Sequence, residues 1–317
     1  MSASRPLPGL FLKLGVLFAC STASAAAKPA RAVWIWETET ARLLHDTGFQ
    51  RATASFLVAH HISTLYLYAD EYQGKNLLTE EKKKFRKFIR SMHSQGFNIY
   101  ALLGSADLRT PEYILPENRR AAERTFRNIL LFNATSDRLA RFDGINIDLE
   151  PYLLDDWESQ REIRMRQYLE LSEQWMQIKA KMKSTIPVGS TLPFWFDAIK
   201  DVWWNGKQQS LNQHVQNIYD YVAVMDYRNF AAGPDGMIAQ AIDELAYADT
   251  IRKKIIIGID TQPESPVKIT FAGASPAYME SQLGLAEMEF SAHPSFSGFA
   301  IHNLSSYWNL TAEPERH

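Results

Sequence analysis

Eight short apolar runs recur along the chain, each followed by a turn, with stretches of helical periodicity between them. The runs are Ala32–Trp36, Ser63–Ala69, Asn98–Gly104, Phe142–Glu150, Pro187–Trp195, Tyr221–Arg228, Lys254–Asp260 and Gly298–Asn303. They are near-continuous rather than alternating, which is how a strand reads when both of its faces are covered. Between them, the stretch from Thr79 to Met92 sets Phe85, Phe88, Ile89 and Met92 at the i, i+3, i+4, i+7 spacing of a helix with one apolar face. The stretches Trp157 to Lys183 and Ile238 to Ile251 are further helical segments. Alternating β and α units predict a parallel sheet, and eight of them predict closure into a (β/α)8 TIM barrel. A doubly wound open sheet is the alternative. It usually carries a Gly-rich phosphate loop after its first strand, and none follows Trp36. No low-complexity linker or charge block divides residues 28–317, which are read as one barrel domain of the usual ~250 residues plus modest loops.

Residues 1–27 have a different character. Arg5 and Lys13 form a basic start, Leu14 to Cys20 a short apolar core, and Ser21 to Ala27 a run of small residues with A-x-A choices. That layout predicts a secretory signal peptide cleaved near Ala25 to Ala27, and hence a secreted or periplasmic protein. Lipidation at Cys20 is the lesser alternative, from the weak lipobox-like string Leu17-Phe-Ala-Cys20. Cys20 is the one cysteine, so a disulfide framework and a cysteine zinc cluster are excluded. No later stretch is apolar for about 20 residues, so no internal membrane span is expected. A formal net charge of −2 gives no footprint for nucleic acid or an anionic membrane.

In a barrel, function sits at the C-terminal ends of the strands. The residues collected there are Trp36, Glu37, Tyr68, Asp70, Asp148, Glu150, Trp195, Asp226, Tyr227, Asp260, Gln262, His302 and Asn303. The fourth run, Arg141-Phe-Asp-Gly-Ile-Asn-Ile-Asp-Leu-Glu-Pro-Tyr152, is the most informative. Alternation puts Asn146, Asp148 and Glu150 on one face, with Ile145, Ile147 and Leu149 on the other, towards the helices. Two carboxylates on the inward face of a buried strand are costly unless used or paired. A glycosidase needs such a group: one carboxyl must hand a proton to the leaving oxygen. Glu150 reaches the mouth. Asp148, one pleat deeper, raises its neighbour's pKa by like charge or holds a substrate group. The alternative is a buried polar cluster satisfied by its neighbours.

This segment resembles the family-18 glycoside hydrolases, the chitinase-like group, whose fourth strand carries D-x-x-D-x-D-x-E. Here it reads Asp143-Gly-Ile-Asn146-Ile-Asp148-Leu-Glu150. The resemblance implies that Glu150 is the general acid. It also implies that Asp148 orients the 2-acetamido group of the substrate, whose own oxygen attacks the anomeric carbon. The family's sixth strand carries M-x-Y-D. Met225-Asp226-Tyr227-Arg228 keeps Met225 and Tyr227, which implies a hydrogen bond from Tyr227 to the acetamido group, and has Arg228 where Asp is usual. The last strand keeps the family's spacing in Gly298-Phe-Ala300-Ile-His302, with His302 at the position of a Trp that floors the sugar subsite. The chain therefore looks like a divergent member or relative.

The expected catalytic residues are Glu150, Asp148 and Tyr227. The expected substrate-binding residues are Trp36, Asn146, Trp195, Met225, Asp226, Asp260 and His302, on a polysaccharide or glycoconjugate that contains N-acetylhexosamine in the family's own scheme. Rings such as Trp36 and Trp195 can stack on sugar faces or simply pack. Glu150-Pro151 also fits barrel glycosidases with a second carboxylate as nucleophile, for which Asp260 or Glu264 at the seventh strand would serve. A non-catalytic carbohydrate-binding barrel is the competing class. No cofactor is implied. No H-E-x-x-H or H-x-H supports a metal, and no G-x-S-x-G supports a serine hydrolase. The expected partner is a carbohydrate substrate, with a monomer as the default assembly.

Overall fold

Each predicted apolar run forms a strand. In a computed structural model, which describes Met1, residues 30–105 and residues 110–312, the strands are β1 (Arg31–Ile35), β2 (Ile62–Tyr68), β3 (Asn98–Leu103), β4 (Gly144–Ile147), β5 (Val188–Pro193), β6 (Tyr221–Met225), β7 (Lys254–Asp260) and β8 (Phe296–His302). The predicted leader and the Cys20 lipidation site lie outside the described residues. All eight strands pair in parallel, in chain order, and the sheet closes where β1 meets β8 with Ala32 opposite Ala300. This is the (β/α)8 TIM barrel that the alternation of elements predicted.

The strands are buried on both faces, which explains their apolar runs. Val33, Ile35, Leu65, Leu67, Ile145, Ile147 and Val224 face the helix layer, where Phe85, Phe88, Ile89 and Met92 of the helix Lys82–His93 pack. The lumen is filled instead by Trp34, Tyr66, Tyr68, Leu102, Ala223 and Ala300. Its rings meet tilted or edge to face, Tyr66 with Tyr100 at 5.8 Å and Tyr100 with Tyr221 at 5.9 Å. Two glycines give those rings their space. A Cβ on Gly144 would stand 2.1 Å from the Tyr100 ring, and one on Gly189 2.3 Å from the Tyr221 ring. The helices between strands include Arg161–Lys181 and Met237–Ile251, within a few residues of the periodic stretches.

The seam between first and last strand rests on Gly298. Its φ is +104°, and a Cβ there would lie 1.9 Å from the Ala30 carbonyl oxygen. Both the backbone angle and the space exclude a side chain. Gly298→Ala is expected to destabilise the fold by about 2–4 kcal/mol. Urea unfolding checks this, and a loss below about 1 kcal/mol would show that the seam yields.

Candidate active site

The C-terminal ends of the strands surround a cavity of about 570 Å³. The sequence builds its floor by alternation. On β4, Asn146 points inward and is fully buried, accepting hydrogen bonds at Oδ1 from Trp34 Nε1 (3.0 Å) and Thr191 Oγ1 (3.1 Å). It therefore ties β1, β4 and β5 together beneath the cavity rather than lining it. Asp148 and Glu150, the next two inward positions, do line it. β4 ends at Ile147, with one more inter-strand bond from Asp148 N–H to the Leu103 carbonyl at 2.8 Å, and Pro151, which lacks an N–H, then restricts Glu150 and starts the turn. The chain turns through Pro151–Leu153, which brings the Tyr152 hydroxyl back to donate to Glu150 Oε2.

Asp148 is only 6% exposed, and its Oδ1 has no hydrogen-bond partner. Burial, then the charges of Glu150 and Glu37, push its carboxyl well above the usual carboxylate range. Both causes favour the protonated carboxyl, and in that form it can donate as well as accept.

A second constellation spans the seam. Trp36 Nε1 donates to His302 Nε2 at 3.0 Å. An indole N–H can only donate, so the imidazole proton is assigned to Nδ1, which lies 3.0 Å from Asp260 Oδ1. Gln262 reaches the same carboxylate through its backbone N–H at 3.1 Å. The Tyr227 ring stacks on His302, centroids 6.0 Å apart.

Of the predicted site residues, the structure brings Trp36, Asp148, Glu150, Met225, Tyr227 and His302 to the cavity wall. Asp260 stands behind His302 as its acceptor. Trp195 is set behind Tyr152, ring centroids 5.2 Å apart, so it buttresses the partner of Glu150. Asp226 is not brought to the mouth. It follows Met225 on the opposite parity, is fully buried, and feels the charge of Glu244 on the helix Met237–Ile251. Of the two seventh-strand acids, Glu264 lines the cavity. Sequence reasoning did not assign Trp34, Glu39, Thr191, Ser305 or Tyr152 to the site. Only Tyr152 carried a local signal, the turn that Glu-Pro imposes.

No sequence profile of a known family matches the chain, and no curated protein matches it in sequence. Solved structures do match. The family-18 glycoside hydrolase chitinase of Cycas revoluta in complex with (GlcNAc)3 is similar at TM-score 0.54 and 10% identity, over 87% of this chain and 95% of that one. The same enzyme in complex with allosamidin matches at TM-score 0.54, with the same identity and coverage. A chitinase from Chromobacterium violaceum ATCC 12472 is 13% identical over 89% of this chain and 97% of that one, at TM-score 0.49. At such identities the likeness is one of fold: the chain is a (β/α)8 barrel similar in shape to family-18 chitinases.

Proposed function

We propose that the chain is a glycoside hydrolase that cleaves a hexosamine-containing polysaccharide or glycoconjugate, with Glu150 as the proton donor. The observation that carries this reading is the pair Asp148 and Glu150, consecutive inward positions at the mouth of the barrel, with burial and the charge of Glu150 raising the Asp148 carboxyl. Glu150 protonates the leaving oxygen. Asp148 and Tyr227 hold the 2-acetamido group of the reacting sugar, whose oxygen closes on the anomeric carbon as the C–O bond breaks; water then opens the product of that step. Tyr227, fixed by its stack on His302, supplies a hydroxyl for this. The leader-like order of residues 1–27 supports export of the mature enzyme, which N-terminal sequencing of the secreted protein would check.

The test is a panel of N-acetylated and non-acetylated oligosaccharides, with new reducing ends and binding measured side by side. Cleavage of the N-acetylated members alone is the expected result. Binding without product from any member would replace the hydrolase by a carbohydrate-binding barrel. Cleavage of a glycan without the acetamido group would move the nucleophile to a second carboxylate, for which Glu264 in the cavity wall is the candidate.

A further inference from the structure

The carboxylate that Glu150 becomes on giving up a proton meets no cation in the cavity wall: none of the described lining residues is Lys or Arg. The titratable groups that feel its charge are Asp148, one pleat deeper on the same strand, Tyr227, two residues past β6, and Tyr152 of the turn that follows. Glu37, on the helix after β1, acts in turn on Asp148. A carboxylate among such neighbours depends on neutral hydrogen-bond donors.

Tyr152 is built to be one. Glu150-Pro151-Tyr152-Leu153 is a tight turn, closed by the Leu153 N–H on the Glu150 carbonyl at 3.1 Å, with Pro151 fixing φ at its second position. The turn folds the phenol back onto the side chain two residues before it, and the hydroxyl donates to Glu150 Oε2. Trp195 and Phe196 hold the ring edge-on, at centroid distances of 5.2 and 6.0 Å. Burial, then the charge of Glu150, raise the phenol well above its ordinary range, so it stays a donor and does not compete as an acid. Tyr152 is not among the residues that line the cavity, so it acts on a substrate through Glu150.

We propose that Tyr152 is the positioning residue of the acid: its hydroxyl keeps Glu150 Oε2 an acceptor, which places the transferable proton on Oε1, and it steadies the carboxylate that proton transfer leaves behind. As Oε1 releases its proton to the leaving oxygen, that oxygen takes the electron pair of the C–O bond. The negative charge left on the carboxyl is met at Oε2 by the O–H of Tyr152. The inference rests on the reading of Glu150 as the acid.

Tyr152→Phe keeps the ring and removes the hydroxyl. A donor to the charged form holds a carboxyl pKa down, so its loss moves that pKa up. The apparent midpoint at which Glu150 loses its proton is followed by NMR of the full chain labelled with 13C at its glutamate carboxyls, and assigned with Glu150→Gln. It is expected to rise by about one unit in Tyr152→Phe. With an N-acetylglucosamine tetramer as substrate, the alkaline limb of the kcat profile is expected to move up by a similar amount. On the plateau, kcat is expected to fall about tenfold or more while KM stays within about twofold. Trp195→Leu, which frees the ring but keeps the hydroxyl, is expected to move the midpoint and the limb in the same direction by less. A midpoint and an alkaline limb that stay in place in both variants, or a fall in kcat with no change in the pH profile, overturn the proposal. The two readings fail separately, because the titration needs no substrate. A raised midpoint with no product from any glycan sinks the hydrolase alone. Product with an unmoved midpoint sinks the role of Tyr152 alone.

Discussion

Glu150→Gln is expected to lower turnover by about a thousandfold or more while leaving the fold intact. The substitution removes the transferable proton and keeps the shape. The Tyr152 hydroxyl, which donates to Glu150 Oε2, finds an amide oxygen of the same reach in its place. Stability should therefore change little, and substrate should still bind. The measurement is reducing-end release at saturating substrate, with the thermal midpoint recorded on the same sample. Turnover above about a tenth of the wild-type value would show that the proton comes from another group.

The second large effect lies outside the cavity. Asp226, directly after β6, and Glu244, on the helix Met237–Ile251, are both fully buried. Glu244 Oε1 accepts from Asn212 Nδ2 at 3.1 Å, but Glu244 Oε2 and both carboxylate oxygens of Asp226 have no partner. Burial, then the charges of Asp197 and Asp243, push Glu244 from its ordinary 4.5 up to about 8. Burial and Glu244 push Asp226 well above the carboxylate range. The folded chain thus keeps protons that the unfolded chain gives up. Stability from Glu244 is full below about pH 4.5, falls as pH rises, and levels off above about 8, a total of about 5 kcal/mol at about 1.36 kcal/mol per pH unit. Glu244→Gln keeps the oxygen that Asn212 needs and removes the titration. The variant should match the wild type near pH 5 and unfold several degrees higher near pH 8. A wild-type midpoint that is flat from pH 5 to 8, or a variant with the same slope, would show that the pair is solvated or paired when charged.

Much of this was legible because a parallel barrel leaves a plain mark on its strands. Cover on both faces made eight apolar runs, and the end of each run pointed to the mouth. The β4 alternation was equally readable: Ile147 and Leu149 face the helices, and Asp148 and Glu150 face the cavity. Asp226 shows where polarity at a strand end misleads. Counting from inward Tyr221 and Met225 puts it outside, and a carboxyl can be buried neutral there. Trp195 was placed at a strand end, but the chain coils into a short helix over Phe194–Ala198 and sets the ring behind Tyr152. Glu39, Thr191 and Ser305 come from three separate segments, and only closure of the barrel gathers them. No local pattern carries that information.

The hydrogen bonds of the site also cross the barrel. Trp36 on the first strand's end holds His302 on the last, and Trp34 reaches Asn146 on the fourth. A chain that frayed at the seam would lose the mouth at the same moment. Heat inactivation should then follow the global unfolding curve as one cooperative unit, with no temperature range in which the barrel persists and the site alone has melted.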